Sequence, residues 1–297
     1  MSYLMAYTDM SHSIAVNLFP TLDNAPRLRV LDLELVALYD TPRVRLPETW
    51  KLTEICLTLK EAGSPSPAPM LPLVRQLSST LQKLLMDVSD RWRPRPAFAP
   101  FIHLPKLTEL TCTRMGNFVL EHIAAPKLER LVIITNEYSF PDSVFTHLRT
   151  FKALSELSLV DVIWDADSLL STLRALPTLT TLKITENAQE IAQQCVTAAL
   201  LSGLTRGGVD VDGVLTPPNP TCPLPNLTTM LLALFKCETE EEAELVAPLR
   251  TMALSRPPSE SIDDAELRPL DVFGVVYAAS ASHPATPSWR GGLKAVP

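Results

Sequence analysis

One short phrase recurs along this chain and restricts what it can fold into: apolar residues at i, i+3 and i+5, read as L-x-x-L-x-L. Its copies are Leu28/Leu31/Leu33, Leu52/Ile55/Leu57, Leu81/Leu84/Met86, Leu107/Leu110/Cys112, Leu128/Leu131/Ile133, Leu154/Leu157/Leu159, Leu179/Leu182/Ile184 and Leu227/Met230/Leu232. The first seven begin 24, 29, 26, 21, 26 and 25 residues apart, and the 48 residues before Leu227 are two such periods. On a strand, i+3 and i+5 face one side while i+2, i+4 and i+6 face the other. A single strand of this kind cannot bury its Leu side. Stacking the units in parallel, each returning through a helix or loop, closes one continuous core and pairs the backbone groups of all but the terminal strands.

This spacing predicts an α/β fold, an irregular leucine-rich-repeat solenoid or horseshoe with a parallel sheet on the concave face and helices or loops on the convex face. Five units share a lead-in with proline, at Ala25-Pro26, Leu104-Pro105, Ala125-Pro126, Leu176-Pro177 and Leu224-Pro225. Proline there stops the preceding element and sets the turn into the strand. Asp142–Phe151 and Asp167–Ala175 read as short helices with Asp142 and Asp167 as N-caps, and Asn187–Leu204 reads as the longest helix. Gly63–Pro72 and Arg91–Pro100 hold too many prolines for helix, and Thr205–Pro225 is a long Gly- and Pro-bearing loop. The Asn that often ends such strands stands at i+8 only as Asn136 and Asn187. Glu238–Glu244 begins an acidic helix reaching Leu254 that must bend or break near Pro248, and Ala265–Tyr277 contains one last strand. The expected organisation is an N-terminal cap segment over 1–20, a repeat domain over 21–277 with its long loop at 205–225, and a disordered tail over 278–297.

Composition narrows the function classes. Of 297 residues, 46% are apolar, enough for a substantial core, and 26 Lys+Arg against 33 Asp+Glu leave a formal charge of −7. No basic excess favours nucleic acid, and no apolar run approaches the roughly 18 residues of a membrane span. The N-terminus lacks the basic and apolar regions of a signal peptide, so the expected setting is intracellular. Cys56, Cys112, Cys195, Cys222 and Cys237 are scattered without a C-x-x-C pair, which argues for reduced thiols and against zinc. Nine glycines against 27 prolines disfavour glycine-built phosphate loops. No cofactor or metal is expected.

Several segments resemble the leucine-rich-repeat region of fungal F-box-like proteins, a large group in mushroom-forming fungi. They are the APRLRVLDL phrase at Ala25–Leu33, the turn of Leu46, Pro47 and Trp50 into KLTEICL, and the LPNLTTMLL phrase at Leu224–Leu232 after a long loop. Met252, Ser255, Arg256 and Pro257 are similar to the end of the family's penultimate helix. The resemblance spans Leu18–Val276 and implies a substrate-recognition role in a ubiquitin ligase. Family members also carry an N-terminal F-box that docks the ligase adaptor. Met1–Pro20 is too short to hold one, and Leu46-Pro47-Glu48 followed by Ile55 is a poor match inside the repeats. The recognition half is therefore expected here, and the docking half is not visible.

For enzymatic chemistry the sharpest string is Val162-Ile163-Trp164-Asp165-Ala166-Asp167-Ser168, similar to the nucleophile motif of haloacid-dehalogenase-like phosphatases. There the first carboxylate attacks phosphorus and the second acts as acid/base beside Mg²⁺. Ser168 departs from that motif, no Lys element follows, and Asp263-Asp264 lies in a Ser-rich loop. The competing reading, which the residues favour, is that Asp165 and Asp167 cap a helix. Asp210-Val211-Asp212-Gly213 lacks the later Glu of a calcium loop. The histidines, His147 among them, show no ligand spacing. Asn226-Leu227-Thr228 puts a core Leu inside a glycosylation triplet. The chain is read as non-enzymatic.

A binding surface is better founded. Across successive strands the i+2 positions run Val30, Glu54, Lys83, Glu109, Arg130, Glu156, Thr181, Thr229, and the i+4 positions Asp32, Cys56, Leu85, Thr111, Val132, Ser158, Lys183, Leu231. Glu54, Lys83, Leu85, Glu109, Arg130, Val132, Glu156 and Lys183 form the expected partner-binding set. Two readings stand side by side. The alternating charges form a docking strip for a protein, with Leu85, Val132 and Leu231 as its apolar centre, or they satisfy one another and the array is a structural remnant with no partner.

Overall fold

The computed structural model describes residues 2–10, 25–37, 45–61, 70–88, 101–135, 142–161, 163–186, 195–205, 223–234, 239–256 and 270–277. Their elements are β1 (Ser2–Met10), β2 (Leu28–Ala37), β3 (Glu54–Glu61), α1 (Met70–Gln76), β4 (Lys83–Val88), β5 (Ile102–His103), β6 (Glu109–Arg114), a 3-10 segment (Met115–His122), β7 (Ile123–Ala124), β8 (Arg130–Ile134), α2 (Asp142–Leu148), β9 (Glu156–Val160), α3 (Ala166–Arg174), β10 (Thr181–Thr185), α4 (Ala198–Leu204), β11 (Thr229–Leu234), α5 (Thr239–Leu254) and β12 (Val272–Tyr277). The protein is a mixed α/β chain whose described strands pair in parallel. It divides into two compact units, the first holding 1–135 and 146–153, the second 136–145 and 154–297.

In the first unit the main sheet runs β1-β2-β3-β4-β6-β8, and β5 pairs with β7 in a separate two-stranded patch. In the second it runs β9-β10-β11-β12, with α3, α4 and α5 packed in succession. Neither run closes into a barrel. The register is set by the repeat, since Ile55 faces Leu31, Leu84 faces Ile55, Leu110 faces Leu84 and Leu131 faces Leu110. These i+3 residues and their i+5 partners are at most 2% exposed. At about 25 cal/mol per Å² of apolar surface, each such row is a principal source of stability.

Backbone bonding repeats with the same period. The amide of the first Leu in each proline lead-in donates three residues back, Leu28 to Ala25, Leu107 to Leu104, Leu128 to Ala125, Leu179 to Leu176 and Leu227 to Leu224, at 3.0–3.3 Å. In six units the carbonyl one residue past the first Leu of the repeated phrase accepts two amides from the next unit. In the first unit these are Gln82 and Lys83 on Thr53, Thr108 and Glu109 on Gln82, and Glu129 and Arg130 on Thr108. In the second they are Thr180 and Thr181 on Ser155, Thr228 and Thr229 on Thr180, and Asp271 and Val272 on Thr228. Threonine hydroxyls add a third donor to several of these carbonyls, as from Thr108 Oγ1 to Gln82 O (3.2 Å) and Thr180 Oγ1 to Ser155 O (3.0 Å).

Several elements differ from expectation. Residues 2–10 are a strand, in register with β2, with Leu4 opposite Leu31 and Ala6 opposite Leu33; the cap segment thus contributes a strand of its own. Helix α1 runs through Pro72, which sits in the first turn where its missing N–H has no intrahelical acceptor to lose. Of the helix expected over Asn187–Leu204, residues 187–194 lie outside the described residues, 195–197 are not helical, and α4 occupies Ala198–Leu204 with 7 residues, while α5 has 16. Its start is set by Thr197, whose hydroxyl accepts the Leu200 amide, and by Glu186, whose Oε1 binds the Val196 amide at 2.9 Å. Thr197 itself is extended, as an N-cap requires. Helix α5 continues across Pro248 unbroken. Asn136, Asn187, residues 91–100, 206–222 and the tail 278–297 lie outside the described residues.

Candidate recognition surface

In the first unit, β2, β3, β4, β6 and β8 expose a face opposite the Leu core. Register places Val30, Glu54, Lys83, Glu109 and Arg130 in one row and Asp32, Cys56, Leu85, Thr111 and Val132 in the next. A third row, Glu34, Thr58, Asp87, Thr113 and Ile134, was not among the expected site residues. It holds the i+6 positions of the same phrase, and these side chains, like those of the middle row, are half-buried.

The charges largely satisfy one another. Glu109 lies between two cations, Lys83 at 3.1 Å and Arg130 at 3.9 Å. Asp87 accepts from Arg114 at 2.8 Å and from the Thr113 hydroxyl at 2.6 Å, and Lys60 reaches Glu34 at 2.8 Å. Among the described residues Glu54 makes no ion pair. The pairs form a charged rim on two sides of the middle row, and Leu85 and Val132 in that row are uncharged. Each exposed pair contributes about 0.2–1 kcal/mol, so the rim orders side chains more than it stabilises the fold.

Cys56 stands beside Leu85 in the middle row. Burial, then the charge and hydrogen bond of Asp32, push its thiol up to about 11, so it is a protonated donor at neutral pH and a poor nucleophile. Cys112 and Cys195 are buried, and loss of hydration raises both thiols further, with the nearby Glu186 carboxylate adding to the rise at Cys195. Cys222 and Cys237 lie outside the described residues.

In the second unit the face is more closed. Lys183 Nζ crosses diagonally to Glu156 Oε1 at 2.6 Å, a half-buried pair. Ser158, Leu231 and Thr185 are 8%, 7% and 3% exposed. Leu231, expected as an exposed apolar contact, is therefore buried, and the two apolar residues of the expected set that remain accessible, Leu85 and Val132, are in the first unit.

The carboxylates of the phosphatase-like string are accounted for by the helix. Asp165 is the N-cap of α3, its Oδ2 accepting the Ser168 amide at 2.9 Å, and that bond holds its carboxyl below the usual range. The cap is thus two residues earlier than Asp167, which lies in the first turn where its charge meets the helix dipole. Among the described residues no group of three or more His, Cys, Asp or Glu could hold a metal ion.

Asp161 is a second carboxylate with an altered titration. It follows β9 in a left-handed conformation (φ 55°), its amide donates to Thr185 O, and burial raises its carboxyl from 3.8 to about 6. A raised folded-state value means that the folded protein holds the proton more tightly than the unfolded chain. The stability this contributes is full below about pH 4 and lost as pH rises through about 6. Asp161→Asn keeps the shape, tolerates the positive φ and carries no charge. Urea midpoints measured from pH 4 to 8 are expected to show the variant more stable than wild type at pH 7 and equal to it at pH 4. Parallel curves for the two proteins would refute this.

Compared with known protein families and with curated proteins, the chain matches none. Among the described residues no helix is long and apolar enough to cross a membrane.

Proposed function

We propose that the chain is a non-catalytic protein-recognition module: an irregular leucine-rich-repeat horseshoe whose strand face receives a protein partner. In this reading it resembles the substrate-recognition region of fungal F-box-like proteins, and it serves ubiquitin-dependent turnover when an adaptor-docking element is supplied with it. The observation that carries the reading is the middle row of the first unit, where Leu85 and Val132 remain accessible between rows of ion-paired charges. Protein interfaces combine an apolar centre with a polar rim, and a surface needed only for stability gains nothing from leaving these two side chains open to water.

The test is affinity capture from lysate of a mushroom-forming fungus, with the intact chain beside Leu85→Glu/Val132→Glu. Both positions are half-exposed, so the variant is expected to fold, which circular dichroism checks. The expected result is a set of proteins held by the wild type and reduced at least about tenfold by the variant, equivalent to about 1.4 kcal/mol of binding. Recovery of the ligase adaptor would support the turnover role. Equal capture by the two proteins would remove the face from the account.

A further inference from the structure

The last strand of the second unit differs from those before it. At β10 and β11 the core-facing residues Leu182, Ile184, Met230 and Leu232 are fully buried. Their counterparts on β12, Phe273 and Val275, are only half-buried, and on the opposite face Val272 and Val276 are 37% and 47% exposed. Natural sheets protect a terminal strand with charge, proline or a bulge, and stacked repeats end in a polar cap. Val-Phe-Gly-Val-Val-Tyr carries no charge and no proline, and among the described residues no strand pairs with the far edge of β12.

The register defines which backbone groups are available there. The amide of Val272 bonds Thr228 O, so residues 272, 274 and 276 turn their backbone groups toward β11. By alternation, 273, 275 and 277 turn theirs outward. If β12 is laid antiparallel against a copy of itself about Gly274, residue 273 falls opposite 275 and both have outward groups, which is the hydrogen-bonded pairing an antiparallel ladder requires. In the same register Val272 meets Val276, Phe273 meets Val275, and Gly274 meets Gly274. Each side-chain pair is β-branched with β-branched or aromatic with β-branched, the combinations that stabilise cross-strand contact. No like charges meet along the strand.

From this self-complementarity we propose that β12 is an association edge for a second copy of this chain, pairing antiparallel with its own counterpart across a twofold axis at Gly274. The twofold makes the contact closed, so the product is a dimer and not a filament. This site is separate from the recognition face of the first unit and does not depend on it.

Sedimentation velocity of the intact chain over about 1–200 μM tests the proposal, in the range where a single strand pair contributes measurable affinity. The expected result is a concentration-dependent doubling of the 32.7 kDa mass. Gly274→Lys and Gly274→Glu each place like charges about 5 Å apart at the twofold. Each variant alone is expected to remain monomeric, and a 1:1 mixture to regain the doubled mass. Val275→Pro removes an outward amide while sparing the bonds to β11 and is also expected to be monomeric. A wild type that stays monomeric throughout would overturn the proposal. So would folded charge variants that associate alone as wild type does, or a mixture that fails to associate.

Discussion

Arg256→Met is expected to lower the free energy of unfolding by about 4 kcal/mol. Arg256 follows α5 and is 1% exposed. Its guanidinium donates to three backbone carbonyls: Leu224 at 3.2 Å from Nη1, and Leu204 and Pro223 at 3.1 and 3.3 Å from Nη2. Leu204 is the last residue of α4, so its carbonyl is one that no intrahelical amide can reach, at the negative end of the helix dipole. Pro223 and Leu224 lead into β11, and Leu224 holds a left-handed φ of 60°. One planar cation thus fastens a helix end to the start of a strand. Methionine fills much of the same volume but donates nothing, so each carbonyl loses a donor at up to about 1–3 kcal/mol, least at Leu224 O, which keeps the Leu227 amide. Lysine offers a compact ammonium in place of the fork and is expected to recover only part of the loss. Urea unfolding with unchanged m-values checks this, and a midpoint for Arg256→Met within error of wild type would contradict it.

The second large effect is expected at Gly116, in the 3-10 segment that follows β6. A Cβ there would stand 2.3 Å from Met86 O, 3.0 Å from Met86 C and 3.3 Å from Met86 Cβ. The nearest obstacle is the backbone of a core strand, which cannot rotate away. Gly116→Ala is therefore expected to cost about 3 kcal/mol, at the upper end of overpacking. It is also expected to disturb the Asp87–Arg114 pair at the ends of β4 and β6. Gly203→Ala is the control, because its Cβ would also meet an atom at 2.3 Å, but that atom is Leu170 Cδ2, the far end of a flexible side chain. There the gain in helix propensity, about 1 kcal/mol, offsets the repacking, and the net change is expected to stay within about 1 kcal/mol. Equal losses in the two variants would show that contact distance alone, and not what is contacted, sets the cost.

Neither effect was legible in the sequence, although other features were. The i, i+3 and i+5 residues and the proline lead-ins were readable because both are periodic: each Leu row is buried in register, and each lead-in closes the same turn. The terminal strand β12 falls within Ala265–Tyr277, the segment read as holding one last strand. By contrast β1 has no proline lead-in, and Leu4 and Ala6 are too weak a phrase to stand out. The helix boundaries at Ala166 and Ala198 depend on which of several capping side chains meets an amide, a tertiary matter that decides between Asp165 and Asp167 and fixes Thr197. Arg256 was visible only as part of a resemblance, since a sequence shows the donor but not the carbonyls it will find. The same limit applies to the candidate face. Alternating charge at i+2 was plain, while the diagonal reach of Lys183 to Glu156 and the closure over Leu231 depend on side-chain packing.

The recognition reading is tested most directly by the alkylation rate of Cys56, followed residue by residue in the intact chain with and without the protein recovered by capture. Cys56 borders Leu85 in the middle row and is half-exposed, whereas Cys112 and Cys195 are buried and serve as internal references. A partner seated on the face excludes reagent from its centre. Cys56 labelling is expected to slow at least about tenfold when the partner is bound, and Leu85→Glu/Val132→Glu to abolish the protection. An unchanged Cys56 rate with partner bound would contradict the recognition reading.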